Sequence, residues 1–208
     1  MKLKGFIITG LLLIVAGFIV SIVGFSNEEF DLGNIGFAPT IETYQYNVDE
    51  IDTIIYDSDV DELEIRPAAG NQIQIITKCV NGFGYTINIE GKSLVIEQFS
   101  DSIFANDSCE VIIEIPQNAL VNLDIEIDTG EVEIKNVKAS NVSVLLDIGN
   151  VDITSVSFSN LNVEVDVGDI DINLNGSPAD YTINGKGTGS KIVTAKTDIG
   201  ELDIEYGN

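Results

Sequence analysis

The residues most able to do chemistry are carboxylates set at a fixed interval. Asp128, Asp147 and Asp166 stand 19 residues apart, and Asp198 repeats their local surroundings. Each is followed two positions later by a glycine: Gly130, Gly149, Gly168 and Gly200. Aspartates gathered by a repeating chain could share a calcium ion, which takes about six to eight oxygen ligands. Two carboxylates about 5–10 Å apart could instead cleave a glycosidic bond. The third possibility is that each Asp accepts a hydrogen bond from the backbone two residues on and shapes a turn. Calcium-binding solenoids use a shorter, glycine-dense repeat. The expectation here is therefore a solvated, turn-shaping column, with Asp128, Asp147, Asp166 and Asp198 as the calcium candidates should a metal bind. Carboxylates are too numerous for any pair to stand out as catalytic, and no cofactor is expected.

Composition narrows the chemistry further. The 208 residues include no His and no Trp, which removes the commonest general base, the commonest zinc ligand and the usual sugar-stacking platform. Ten Lys and Arg stand against 34 Asp and Glu, a net charge of −24. Such a surface repels phosphates, so nucleic acid is not an expected partner. Hydrophobic residues make up 44% of the chain, too many for a disordered polyanion. Cys79 and Cys109 are the only cysteines, and both share the alternation of their apolar neighbours. One disulfide and two separately buried thiols both fit that pattern.

The elements that must position these groups are strands. Beyond residue 43, apolar and polar residues alternate with period two, and no helical period is visible after residue 25. The alternation is itself repeated. Asn122–Ser140 reads NLDIEIDTGEVEIKNVKAS, Asn141–Ser159 reads NVSVLLDIGNVDITSVSFS, and a third copy opens at Asn160 with NLNVEVDVGDIDI. Ile125, Val144 and Val163 form one apolar column, Val132, Val151 and Ile170 a second, Ile134, Ile153 and Ile172 a third. Fainter copies lie at Asp198–Ile204 and at Asp59–Ile65, the latter with Asp61 in the glycine position. Because Asp tolerates positive φ better than most residues, that replacement suggests a left-handed backbone at Asp61 as well. One coil of about 19 residues cannot bury its own apolar face, whereas stacked coils share a core. The fold predicted is all-β: a single-domain β-solenoid, with a two-sheet β-sandwich as the alternative. Between Asn173 and Lys191 the period breaks: 32 residues separate Asp166 from Asp198. Four glycines and Lys186, Lys191 and nearby Lys196 mark this stretch as a mobile surface excursion.

The other end of the chain reads as an anchor. Gly5 to Phe25 is 21 residues without a charge. As a helix it would span about 31 Å, the thickness of a bilayer's hydrocarbon core. Lys2 and Lys4 precede it and Glu28, Glu29 and Asp31 follow, which predicts residues 1–4 in the cytoplasm and the rest outside. A cleaved signal peptide is the alternative, with Gly24-Phe25-Ser26 as its weak cleavage site. Gly10, Gly17 and Gly24 fall at heptad spacing, an ordinary feature of membrane helices. The organisation expected is 1–4 cytoplasmic, 5–25 transmembrane, 26–43 spacer, and 44–208 an acidic extracytoplasmic domain.

The segments IDTIIYDSDVDELEIRP, GNQIQIIT, GKSLVIEQ and CEVIIEIP, followed by the repeated D-x-G turns, resemble the bacterial "putative adhesin" domains of unknown function. The resemblance runs from about Tyr44 to Tyr206. It implies a β-solenoid in a membrane-attached cell-envelope protein and carries no catalytic or binding residues with it. The function expected is a non-catalytic scaffold or binding module in adhesion or envelope sensing, held by its N-terminal helix and facing an envelope protein or surface ligand. A calcium-dependent adhesin and an acid-based polysaccharide-active enzyme are the alternatives.

Overall fold

Period-two alternation gives each strand one apolar and one polar face, and the strands bury the apolar one. The computed structural model describes residues 39–80, 83–100 and 109–207. The apolar segment Gly5–Phe25 lies outside these. Among the described residues no helix is long and apolar enough to cross a membrane. The first strand, β1 (Thr40–Asn47), opens inside the stretch assigned from sequence to the spacer.

Three long strands, β2 (Thr53–Ala68), β7 (Val121–Lys135) and β8 (Ala139–Thr154), each cross two facing sheets through a corner at Asp61, Gly130 and Gly149. Further along, the same coil is split into β9 (Asn160–Val167) with β10 (Ile170–Asn175), and then β13 (Lys191–Ile199) with β14 (Leu202–Gly207). All these neighbours are parallel and in register, so Ile125 lies against Val144, Val144 against Val163, and Val132 against Val151. The apolar columns read from the repeat are thus physical ladders, fully buried between the sheets. Each such side chain withdrawn from water contributes about 1.5–3 kcal/mol. Outside the core, Asn122, Asn141 and Asn160 form their own ladder, each amide donating to the previous Asn at 3.0 and 2.8 Å. A sandwich also has two sheets, but its chain does not cross from one to the other in every strand. The parallel coils are those of a solenoid.

The solenoid departs from chain order at its N-terminal end. After β2 the chain runs through β3 (Gln72–Cys79), β4 (Phe83–Glu90), β5 (Ser93–Ser100) and β6 (Cys109–Pro116) before returning as β7. β5 and β6 pair parallel with the two halves of β2, forming a coil on its far side. β4, β3 and β1 then close this end with antiparallel pairs. The disulfide between Cys79 and Cys109 ties β3 to β6 across 30 residues of chain. Loop entropy puts its contribution near 3–4 kcal/mol.

At the other end, the excursion after Asn173 is a built cap. Ser177 and Asp180 form a reciprocal capping box around a single 3-10 turn. The short strands β11 (Tyr181–Ile183) and β12 (Lys186–Gly187) then add to the edge of β13. Tyr181 is buried between Phe158 and Tyr206, with ring centroids 6.1 and 6.0 Å away. The Asn184 side chain accepts from the Ala195 N–H and donates to its carbonyl, both at 3.0 Å.

The corners explain the glycines. Gly149 and Gly168 have φ of 142° and 146°, which side-chain-bearing residues avoid. A Cβ on Gly149 would lie 1.7 Å from the carbonyl oxygen of Gly130, and one on Gly168 1.7 Å from that of Gly149. Only hydrogen fits between stacked corners. Asp61 has no positive φ, so the left-handed backbone expected there is not found. Its neighbour on the far side is Cys109, the first residue of β6, and Asp61 turns its side chain inward instead.

Gly149→Val is expected to destabilise the protein by at least about 1–3 kcal/mol, the range for a strained backbone, with the steric clash added. Asn150→Asp is the control. It keeps the oxygen that accepts from the Asp169 N–H at 3.1 Å and is expected to be nearly silent in urea unfolding. Equal losses from both would contradict the corner geometry.

Candidate functional site

The strongest concentration of polar chemistry lies inside the first coil. Three inward positions there depart from the repeat: Tyr56 stands where the next coils have Ile125 and Val144, Ser58 replaces Ile127 and Leu146, and Asp61 replaces Gly130. One Asp61 oxygen accepts hydrogen bonds from the hydroxyls of Tyr56, Ser58 and Tyr85, the last reaching in from β4. Its other oxygen accepts from the Gln98 amide at 3.2 Å. Gln98 also holds the corner itself, accepting from the Asp59 and Val60 N–H groups at 3.0 and 3.2 Å and donating to the Val60 carbonyl at 3.1 Å. The two tyrosine hydroxyls are 3.0 Å apart.

Asp61 is 0% exposed. Burial raises its pKa, and the hydrogen bonds from Ser58, Tyr56, Tyr85 and the Cys109 backbone pull in the opposite direction. Burial likewise raises Tyr56 and Tyr85, and the neighbouring Asp61 charge adds to the rise. Groups sealed in this way cannot meet a substrate. What they can do is lock β4 and β5 onto the corner of β2, since among the described residues every buried side-chain nitrogen or oxygen finds a partner. The sequence does carry the signal: three polar or aromatic departures from the repeat fall on one rung.

The residues singled out from sequence lie elsewhere. Asp128, Asp147, Asp166 and Asp198 are exposed and stand on successive rungs of one outer face. Asp198 pairs with Lys196 at 2.5 Å. Among the described residues no backbone N–H donates a turn-shaping hydrogen bond to these four carboxylates. The corner is shaped by the glycines and the ladder pairing instead. Rungs are about 4.8 Å apart, so the column is brought together in a line. Among the described residues no three Asp, Glu or Cys side chains converge on a point that could hold a metal ion. Gly130, Gly149, Gly168 and Gly200 occupy successive corners, and Cys79 and Cys109 are bonded.

The second sheet presents a denser acidic face. A shallow open groove of about 430 Å³ runs over it, lined by Glu62, Glu64, Glu110, Glu131, Glu133, Asp152 and Asp171 with Asn150 and aliphatic side chains. Arg66 pairs with Glu114 and Glu64 at 2.8 and 3.0 Å, Lys78 with Glu110 at 2.6 Å, and Lys135 with Glu133. Glu62, Glu131, Asp152 and Asp171 have no ion pair among the described residues. The groove has carboxylates but no aromatic platform.

A parallel stack of long bent strands with antiparallel closure at one end is a specific architecture, and it has relatives. The profile of the family described as Toastrack DUF4097 matches residues 42–208. The chain belongs to this family. The Toastrack domain is also similar to a solved structure described as that of "a putative cell adhesion protein" from Clostridium sporogenes. Identity is 15% over 81% of this chain and 100% of that one, with a TM-score of 0.61, which establishes a shared fold. A "putative adhesin" from Bacteroides fragilis is 12% identical over 79% of this chain and 97% of that one; its TM-score of 0.33 carries no argument. No curated protein matches the sequence.

Asp61 supplies a prediction with a definite sign. A carboxyl whose pKa is raised on folding favours the native state fully below its unfolded value, about 3.9. That contribution is lost as pH rises through the raised folded value. Relative to Asp61→Asn, wild type is therefore expected to gain stability as the pH of urea unfolding is lowered from neutrality toward about 4. At neutral pH the substitution is expected to cost about 1–3 kcal/mol, because a donor amide faces hydroxyl donors. A difference between the two proteins that is flat with pH would contradict the buried carboxyl.

Proposed function

We propose that this protein is a non-catalytic scaffold of the cell envelope, serving adhesion or envelope sensing, with Gly5–Phe25 in the membrane and the Toastrack domain outside. The observation that supports this most is the way the domain divides its polar groups. Those inside the first coil are sealed and bonded to one another, while the surface carboxylates stand in regular, exposed columns on rigid ladders. That arrangement suits presentation of a surface. The Clostridium sporogenes structure, described as that of "a putative cell adhesion protein", adds support by analogy only. Positive residues before the apolar segment and acidic ones after it support the orientation.

Topology is tested by adding protease to intact spheroplasts. The domain is expected to be degraded while cytoplasmic markers survive. Protection of the domain, or a mature N-terminus at Asn27, would overturn the anchored outward arrangement.

The calcium-dependent alternative is tested by thermal unfolding at physiological ionic strength with calcium or magnesium. A diffuse acidic surface attracts both ions weakly and alike, and salt screens that attraction. A real site would add about 2.7 kcal/mol at a hundredfold excess over Kd. The expected outcome is a small rise in Tm, equal for the two metals. A large calcium-only rise, abolished by Asp147→Asn, would replace this reading with a calcium-dependent adhesin.

A further inference from the structure

Between the Asp and Gly of each corner, and between Asp59 and Asp61 in the first coil, stands one residue that folding leaves outside. These residues, Val60, Thr129, Ile148, Val167 and Ile199, are paired rung on rung. Four are aliphatic, with exposures of 37% for Val60, 53% for Ile148, 41% for Val167 and 67% for Ile199. Scattered exposed aliphatics are ordinary, but these form one line. At about 4.8 Å per rung the five span about 19 Å. The backbone does not require them to be apolar, since Thr129 holds the same place with the same pairing.

Acids border the line on both sides. Asp59, Asp128, Asp147, Asp166 and Asp198 precede it, while Glu62, Glu131, Asp169 and Glu201 follow the corner, with Asn150 in the remaining rung. Among the described residues, only Asp198 of these nine acids is in an ion pair.

We propose that this corner is a docking ridge for a basic amphipathic protein segment. Apolar side chains of the partner cover Val60, Ile148, Val167 and Ile199, and Lys or Arg on its two margins reach the two carboxylate columns. The inference rests on the binding-scaffold reading above and names the chemistry of the partner. Charge selects the occupant. A second copy carries a net charge of −24 and the same acidic borders, so it would meet like charge. Carboxylates one rung apart repel one another, and a cationic partner relieves that repulsion while steering its own approach. The apolar line supplies the contact that is not screened by salt. A helix of about 13 residues covers the line at about 1.5 Å per residue, with apolar side chains every third or fourth position.

The test uses the full-length chain in zwitterionic lipid nanodiscs, with empty nanodiscs as the blank. The probe is a fluorescent Leu/Lys amphipathic peptide of about 14 residues, compared with its Leu/Glu counterpart. The Leu/Lys peptide is expected to bind saturably and at least about tenfold more tightly than the Leu/Glu one. Ile148→Thr with Val167→Thr is expected to weaken binding about tenfold while leaving Tm nearly unchanged, as Thr129 already shows the corner accepts threonine. Asp147→Asn with Asp166→Asn is expected to weaken binding and flatten its salt dependence. Unchanged binding by the double threonine variant would overturn the ridge, leaving only diffuse attraction. Equal binding of both peptides, or of neither, would also overturn it. These failures are distinct from failure of the scaffold reading: a surface-exposed domain that ignores the peptide removes the ridge alone, whereas a protease-protected domain removes the scaffold.

Discussion

Everything regular in this protein depends on how closely one corner lies upon the next. The carbonyl of each corner points at the α-carbon of the glycine above, so that a methyl group there would overlap the oxygen. With hydrogen in that place the corners can stack, and in β2, β7 and β8 the strand runs from one sheet into the other. Because the corners stack, the residues on either side are forced into columns. The buried Val, Ile and Leu ladders, the Asn122–Asn141–Asn160 ladder and the outer carboxylate lines are all consequences of one permitted approach.

Columns also create a cost. Like charges at one-rung spacing repel by about 1 kcal/mol in water and by more where water is thinned. The protein offsets part of this with Arg66, Lys78 and Lys135, each of which meets a Glu on the same or a neighbouring strand. The rest remains as surface charge, opposed by the aliphatic core. There is a benefit as well: among the described residues β14 is an edge strand, and Asp203 and Glu205 along it, with Glu201 just before it, discourage pairing with another chain.

The repeat was legible in the sequence because coils made by adjacent stretches of chain must match residue for residue. Asn122, Asn141 and Asn160 therefore announce themselves. The coil built from β5 and β6 does not. It is stacked beneath β2 although it follows β2 in sequence, so no constant interval links Ile54 to Leu94 and Leu123 at once. The antiparallel strands β1, β3 and β4 share period two with every other strand, and alternation alone does not reveal partner or direction. Asp61 was visible as an exception and was misread, since a residue that breaks a glycine column invites a backbone explanation. The side-chain explanation needed Tyr85, which local sequence cannot place beside it. The excursion after Asn173 looked mobile because its glycines suit loops, whereas Tyr181 and Asn184 fasten it to the open end of the core.

The central claim is that the ladder runs through the corners as a continuous structure. Native-state hydrogen exchange measures this directly at three amides. Gly168 donates to Ile199 at 2.8 Å, at a corner, while Ile170 donates to Glu201 at 2.9 Å and Val151 to Asp169 at 3.0 Å, just beyond it. The account predicts that the Gly168 amide is protected to within about a factor of ten of Ile170 and Val151, and that all three exchange in one cooperative opening. Fast exchange at Gly168, with Ile170 and Val151 still protected, would show two sheets joined by ordinary turns and would contradict it.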